Sequence, residues 1–215
     1  MTYPIYDYRH DIKNLFSTPQ IRGRFLRMEP GEIHARHSHE LGDELFLILD
    51  GECDMEIEGQ RAVLGPGQAC VAFAQQMHQA RNVSAAPMTM YLSVTPHIEP
   101  THTHYDQDTG ARLPPLYNPP TAFDKVDTLR DIPTTDLAER HLAAALALSE
   151  AASSAAAQQG ASIAAVKRAA LDNDPAALKA AMDATWEQVY ATYRALNSLA
   201  AAWNELAPRA AQPRS

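Results

Sequence analysis

Short apolar runs alternate with turns along the first half of the chain. RFLRM, ELFLILD, CDMEIEG, ACVAFA and MTMYLSV carry strand character, separated by EPGE, LGDE, LDGE, EGQ and LGPGQ. Strands at a spacing of about eight to twelve residues predict a sandwich or barrel. In CDMEIEG, Cys53, Met55 and Ile57 fall on one face and Glu52, Asp54, Glu56 and Glu58 on the other. That strand has one face in water. ELFLILD has two apolar faces, with Phe46 and Ile48 on one and Leu45, Leu47 and Leu49 on the other. Both need cover.

From about Thr135 the period changes to that of a helix. Thr134, Thr135 or Asp136 can cap a first helix running to about Gln158. Gly160 is expected to break it, and Ser162 to cap a short second helix, SIAAVKRAALDN. In DNDPAALK, Asp174 before Pro175 predicts the start of a third helix, running to about Ala207. Leu178, Met182, Trp186, Val189, Tyr193, Leu196, Leu199, Trp203 and Leu206 follow mostly in steps of three and four. They predict one apolar stripe. At about 1.5 Å per residue that helix is roughly 50 Å long, more than its short neighbours can cover. A homodimer is the expected partner for the stripe and for the outer face of ELFLILD. The region between is proline-rich: seven of the fifteen prolines lie from Pro96 to Pro133, and RLPPLYNPP reads as an extended connector. The expected organisation is a β domain over 1–100, a connector over 101–134 and a helical segment over 135–215.

Composition narrows the function. The 215 residues are 46% hydrophobic, enough for one sizeable core with an appendage. The net charge of -8 gives no general attraction to nucleic acid or to an anionic membrane, so neither is an expected partner. No window reads as a membrane span or signal peptide. Cys53 and Cys70 form no metal or disulfide pattern and read as small buried residues. A cytoplasmic protein with a small-molecule substrate is expected.

HARHSHELGDE, residues 34 to 44, holds three of the nine histidines and three acids. Residues at i and i+2 on a strand share a side, so His37 and His39 present two imidazoles to one volume. His34 should point the other way, to the surface. Glu44 lies across the Gly42 turn, and His78 comes from a distant strand. Three imidazoles and a carboxylate suit a first-row divalent ion. The alternative for the bare stretch is a solvated polar loop.

In its frame, Gly31 to Gly51 reads G-x5-H-x-H-x4-E-x6-G. This resembles the first motif of the cupin superfamily at every defined position. A degenerate second motif follows in GPGQACVAFAQQMHQARN, Gly65 to Asn82, keeping H-x3-N as His78 and Asn82. Phe73 and Gln75 stand where that family usually has proline and glycine. The resemblance covers roughly residues 20 to 98. It implies a double-stranded β-helix, the cupin jelly-roll barrel, which with the helices read above makes an α+β chain. It implies His37, His39, Glu44 and His78 as ligands of one divalent transition metal, with Fe favoured and Mn, Ni or Zn as alternatives. Cupins with three His and a Glu include dioxygenases for diketones, flavonols and thiols, and the fold also carries isomerases, decarboxylases and lyases. The expectation is a metal-dependent, dioxygenase-type oxidoreductase, with those other reactions or a non-enzymatic sensing module as alternatives.

Phe46 and Ile48 share a face with Glu44, so a pocket with Phe46, Ile48, Phe73 and Met90 as walls is expected to favour a modest organic molecule. One of Arg22, Arg24 and Arg27 can point inward to hold a carboxylate. A second histidine cluster, His97, His102 and His104, lies outside both motifs. It either folds over the barrel mouth or is an exposed connector.

Overall fold

The computed structural model describes residues 3–106 and 108–211. The chain forms two compact units, Met1–Arg130 with Ala207–Ser215, and Asp131–Leu206.

The first unit holds ten strands: β1 (Asn14–Ser17), β2 (Arg22–Met28), β3 (His37–Ser38), β4 (Asp43–Asp50), β5 (Cys53–Ile57), β6 (Gln60–Leu64), β7 (Ala69–Ala72), β8 (His78–Asn82), β9 (Met88–Thr95) and β10 (Thr103–His104). They form two five-stranded antiparallel sheets, ordered β1-β2-β9-β4-β7 and β10-β3-β8-β5-β6. This is a jelly-roll sandwich. Strand parity fills the space between the sheets. From β2 come Leu26 and Met28, from β4 Phe46 and Ile48, from β5 Cys53 and Met55, and from β9 Met88, Met90 and Leu92. On β5, Asp54 faces away from that core and pairs with Arg61 of β6.

Leu45, Leu47 and Leu49 on the second face of β4 are half-buried. The same side of this sheet carries Phe25 and Tyr91, edge to face at 6.0 Å, and Tyr8 of the N-terminal segment meets Phe25 at 6.3 Å. The N-terminal segment thus supplies part of the cover that ELFLILD requires.

Two residues show why the motif positions matter. Asn82 is buried, donates to the Met28 and Ala86 carbonyls at 3.0 Å each, and accepts from the Ser84 N–H. It ties the end of β8 to β2 and to the turn before β9. Gly42 is crowded: a Cβ there would lie 2.6 Å from Val94 and 2.8 Å from the Pro96 carbonyl. Only glycine lets the chain pass so close to β9 on its way from His39 to Glu44.

The connector is more structured than RLPPLYNPP suggests. Thr103 and His104 pair with Ser38 and His37, which makes β10 the edge of the second sheet. A 3-10 turn at Pro120–Phe123 follows.

The second unit is a helical pair, α1 (Thr134–Leu171) and α2 (Pro175–Leu206). Two helices replace the three expected. Gly160 does not break α1. Glycine retains its backbone N–H, so its cost inside a helix is only about 1 kcal/mol, which packing along α2 outweighs. Pro133 precedes α1, with no side-chain cap. Asp174 does cap α2, accepting from the Ala176 and Ala177 N–H groups at 3.0 Å. The reversal between the helices uses Asn173 in the left-handed region, φ 50°.

The expected single stripe on α2 divides. Leu178, Val189, Leu199, Trp203 and Leu206 are half-buried, while Met182, Trp186, Tyr193 and Leu196 are exposed. Apart from Leu137 near the start of α1, the buried positions of the pair are small: Ala155, Ala169 and Ala181. Gln188 reaches from α2 to Ser162 at 3.2 Å. Neither helix is long and apolar enough to cross a membrane.

Candidate metal centre

Three strands bring the site together. His37 is on β3, and His39 follows directly after it. Glu44 is on β4 in the facing sheet. His78 opens β8 and is the register partner of His37. His39, Glu44 and His78 are each 2% exposed, and His37 is half-buried. Glu44 Oε2 lies 2.8 Å from His39 Nε2, 3.0 Å from His78 Nε2 and 3.9 Å from His37 Nε2. The Nε2 atoms of His37 and His78 are 3.2 Å apart. One ligand atom from each of the four residues lies within 4.8 Å of the others.

The opposite edge of each ring is held by the backbone. His37 Nδ1 faces the Ala35 carbonyl at 2.9 Å, and His78 Nδ1 faces the Gln76 carbonyl at 2.9 Å. His39 Nδ1 faces the Thr101 carbonyl. A carbonyl only accepts, so Nδ1 carries the proton in all three rings. In the neutral rings every Nε2 is therefore a lone pair, and three lone pairs converge on a carboxylate. That arrangement repels itself unless a cation lies between its members. A divalent ion satisfies all four donors together, and fixing the far nitrogen on a carbonyl is the usual way to orient a ligating imidazole. Three nitrogens and one oxygen suit Fe, Mn, Ni or Zn better than Ca or Mg.

The electrostatics agree. Burial raises the Glu44 carboxyl, but the His39 and His78 rings that face it outweigh this and hold it well below the usual range. Glu44 is a carboxylate. Burial, with His78 alongside, pushes His37 down to about 3, so its ring is neutral. Metal ligation needs unprotonated ligand atoms, so metal affinity falls as pH falls.

Arg22 is the inward arginine. It is 4% exposed, and its Nη2 lies 3.9 Å from Glu44 Oε1, the oxygen turned away from the histidines. Arg24 is half-buried and Arg27 is exposed beside Glu29.

The expected pocket walls lie elsewhere. Phe46, Ile48 and Met90 belong to the hydrophobic core, at 4%, 0% and 0% exposure, and Phe73 is 60% exposed. Phe46 reaches His78 edge to face at 5.6 Å, so it backs the site from the core. Parity places these residues on the inner side, but the sheets close over them. Cys53 and Cys70 sit against the core, and burial raises both thiols to about 11, which leaves them unreactive.

The second histidine cluster divides. His97 is buried away from the ligands, with Nδ1 3.3 Å from the Ser17 hydroxyl and Nε2 4.0 Å from Glu99. His102 lies against the site, its ring centroid 4.8 Å from His37 and 4.9 Å from His39. His104 stands 6.2 Å from His37. A cavity of about 250 Å³ opens here, lined by His34, Ala35, His37, His102, His104, Leu116 and Asn118. His34 is thus half-buried in the cavity wall and not fully on the surface. Residues 34 to 36 are not strand, so counting by twos from His37 does not apply to them. Asn118 and the Thr101 carbonyl carry no sequence signal, because neither lies in a motif.

A β-sandwich whose facing sheets deliver three histidines and a glutamate to one point defines a class of metal-binding fold. The sequence profile of the cupin domain matches residues 24–95, and this part of the chain is a cupin domain. Among solved structures, the chain is similar to TT1209 from Thermus thermophilus, with 28% identity over 39% of this chain and 80% of that one, TM-score 0.38. It is similar to KdgF from Halomonas sp., with 26% identity over 39% and 77%, TM-score 0.37. A third is a Klebsiella pneumoniae protein with a double-stranded beta-helix domain, 20% identical over 43% and 84%, TM-score 0.41. A search of curated proteins found no match.

Proposed function

We propose that the chain is a metal-dependent enzyme acting on a small organic molecule, with dioxygenase-type oxidoreduction as its reaction. The observation that carries this reading is the convergence of three carbonyl-anchored imidazoles and an ionised Glu44 beside a cavity. Four protein ligands leave a six-coordinate ion two positions for exchangeable ligands. Iron(II) held there supplies the redox chemistry that brings an organic substrate and dioxygen together. The chain supplies the rest. The Ala35, Thr101 and Gln76 carbonyls fix the imidazoles, and Arg22 balances the charge of Glu44. The surrounding core keeps bulk water from all but the cavity side.

The protein is expected to work as a homodimer. Met182, Trp186, Tyr190, Tyr193 and Leu196 leave an apolar face exposed on α2, and a second copy of the chain is its expected cover. Sedimentation should then give twice 23.6 kDa.

The test of the reaction is oxygen uptake by protein purified without oxygen and loaded with iron(II). Consumption of oxygen that depends on an added organic acid and vanishes in Glu44→Ala supports the reading. Zinc, manganese or nickel as the resident metal, with no oxygen consumed, would replace it with isomerase, decarboxylase or lyase chemistry.

A further inference from the structure

The cavity at the metal centre is walled by a segment outside the cupin domain. Residues 96–106 leave β9 and cross the open side of the site, and residues 108–118 follow them. Their Thr101 carbonyl holds His39, and β10 pairs with β3. His102 is thereby laid against the rings of His37 and His39. His104 and Asn118 complete the same wall. Of the four ligands, only His37 reaches this cavity, so a molecule entering here meets His102 as it approaches the ion.

We infer that His102 is a specificity-determining residue, and that the ligand it recognises beside the metal is a small carboxylate. This rests on the metal-centre reading above and adds the substrate class. Size is the first argument. About 250 Å³ is below the roughly 300–1,000 Å³ of sites that take drug-sized ligands, so the part of a ligand held here has few heavy atoms. The second argument is the wall itself. The imidazoles offer N–H donors, the Asn118 amide is held by Glu99 at 3.2 Å, and no carboxylate is among the described lining residues. The third is charge. With a divalent ion bound, Glu44 and Glu99 together cancel Arg22 and one charge of the ion. The half-buried Arg24 is offset by Asp124, so that pair leaves the surplus unchanged. A net positive site in low dielectric favours an anion and disfavours a cation. The modest organic molecule expected from the sequence is thereby narrowed to a negatively charged one.

Cobalt(II)-loaded protein gives a test that needs no turnover, because its visible spectrum reports ligands on the metal. The probes are lactate and its neutral counterpart lactamide, which differ in charge and hardly in shape. Lactate is expected to shift the spectrum saturably, and lactamide to bind at least tenfold more weakly. His102→Phe and His102→Ala are expected to retain cobalt at the parent level and to weaken lactate at least tenfold. A thermal melt of each variant checks folding, and either folded variant suffices. Unchanged lactate affinity in a folded variant would overturn the role of His102. Lactamide binding as tightly as lactate would overturn the anion assignment. Loss of cobalt from the folded His102 variants would make His102 a ligand and not a specificity residue. A parent that binds no cobalt fails at the earlier step, and takes the metal-centre reading down with this one.

Discussion

In the β-sandwich the large apolar side chains are inside, with Met28, Ile48, Met88 and Met90 all at 0% exposure. In the helical pair most of them are outside: Trp186 is 60% exposed and Tyr193 63%, while Ala155, Ala169 and Ala181 are buried and Leu137, at 0%, is the large exception. Both regions show clear hydrophobic periodicity. The difference lies in what each element is packed against. A strand in a sandwich has one inner face fixed by its sheet neighbours, so parity tells which residues are buried. A helix in a two-helix unit has one narrow seam. Small residues compete for it by allowing close approach of the axes.

Truncation should break this comparison most sharply. Ile48→Ala removes a fully buried side chain from a closed core and should cost about 2–5 kcal/mol in urea denaturation. Trp186→Ala, a larger truncation, should cost no more than about 0.5 kcal/mol at protein concentrations where the chain is monomeric. Equal costs would mean that the two regions are packed alike.

Acid should separate the regions next. Burial, with Arg22 nearby, pushes His97 down to about 3 from its ordinary 6.5. A group depressed on folding binds its proton more readily when unfolded. Its stabilising contribution is therefore full above pH 6.5 and is lost as pH falls toward 3. The loss should be on the order of a few kcal/mol. His97→Gln should flatten this part of the pH profile of the β unit. A profile unchanged by the substitution would show that His97 is not the group responsible.

Backbone effects should be smaller and should appear in both regions. Gly160→Ala has open space for its Cβ and should stabilise α1 by about 1 kcal/mol. Gln75 has φ 70°, the conformation for which a glycine would be suited. Gln75→Gly should stabilise the β unit by about 1 kcal/mol, since a side chain in the left-handed region carries a cost of that order. A loss of stability in either variant would contradict the strain or helix argument behind it.

These particulars show what was legible in the chain. The His37, His39, Glu44 and His78 set could be found because strand parity and the glycine turns leave marks at fixed spacing. Gln75 was legible as a departure from a motif, and its positive φ gives the reason for the motif. The cavity was not legible. His34, His102 and Asn118 come from irregular segments, where no period links position to direction. Their placement depends on β10 pairing with β3, a two-residue ladder that leaves no pattern. The pocket residues failed for a related reason. Parity shows that Phe46, Ile48 and Met90 point inward, but not whether the inward space is a core or a cavity. On α2, the period found the apolar residues and could not rank them against alanine.

The central claim is that His37, His39, Glu44 and His78 hold one transition-metal ion. Elemental analysis of protein purified without oxygen or added metal tests it most directly, alongside His39→Ala and His78→Ala variants that still melt cooperatively. The account predicts about one metal ion per chain in the parent and close to none in either variant. A parent that carries no metal and takes up none on addition, or variants that keep the full amount, would contradict it.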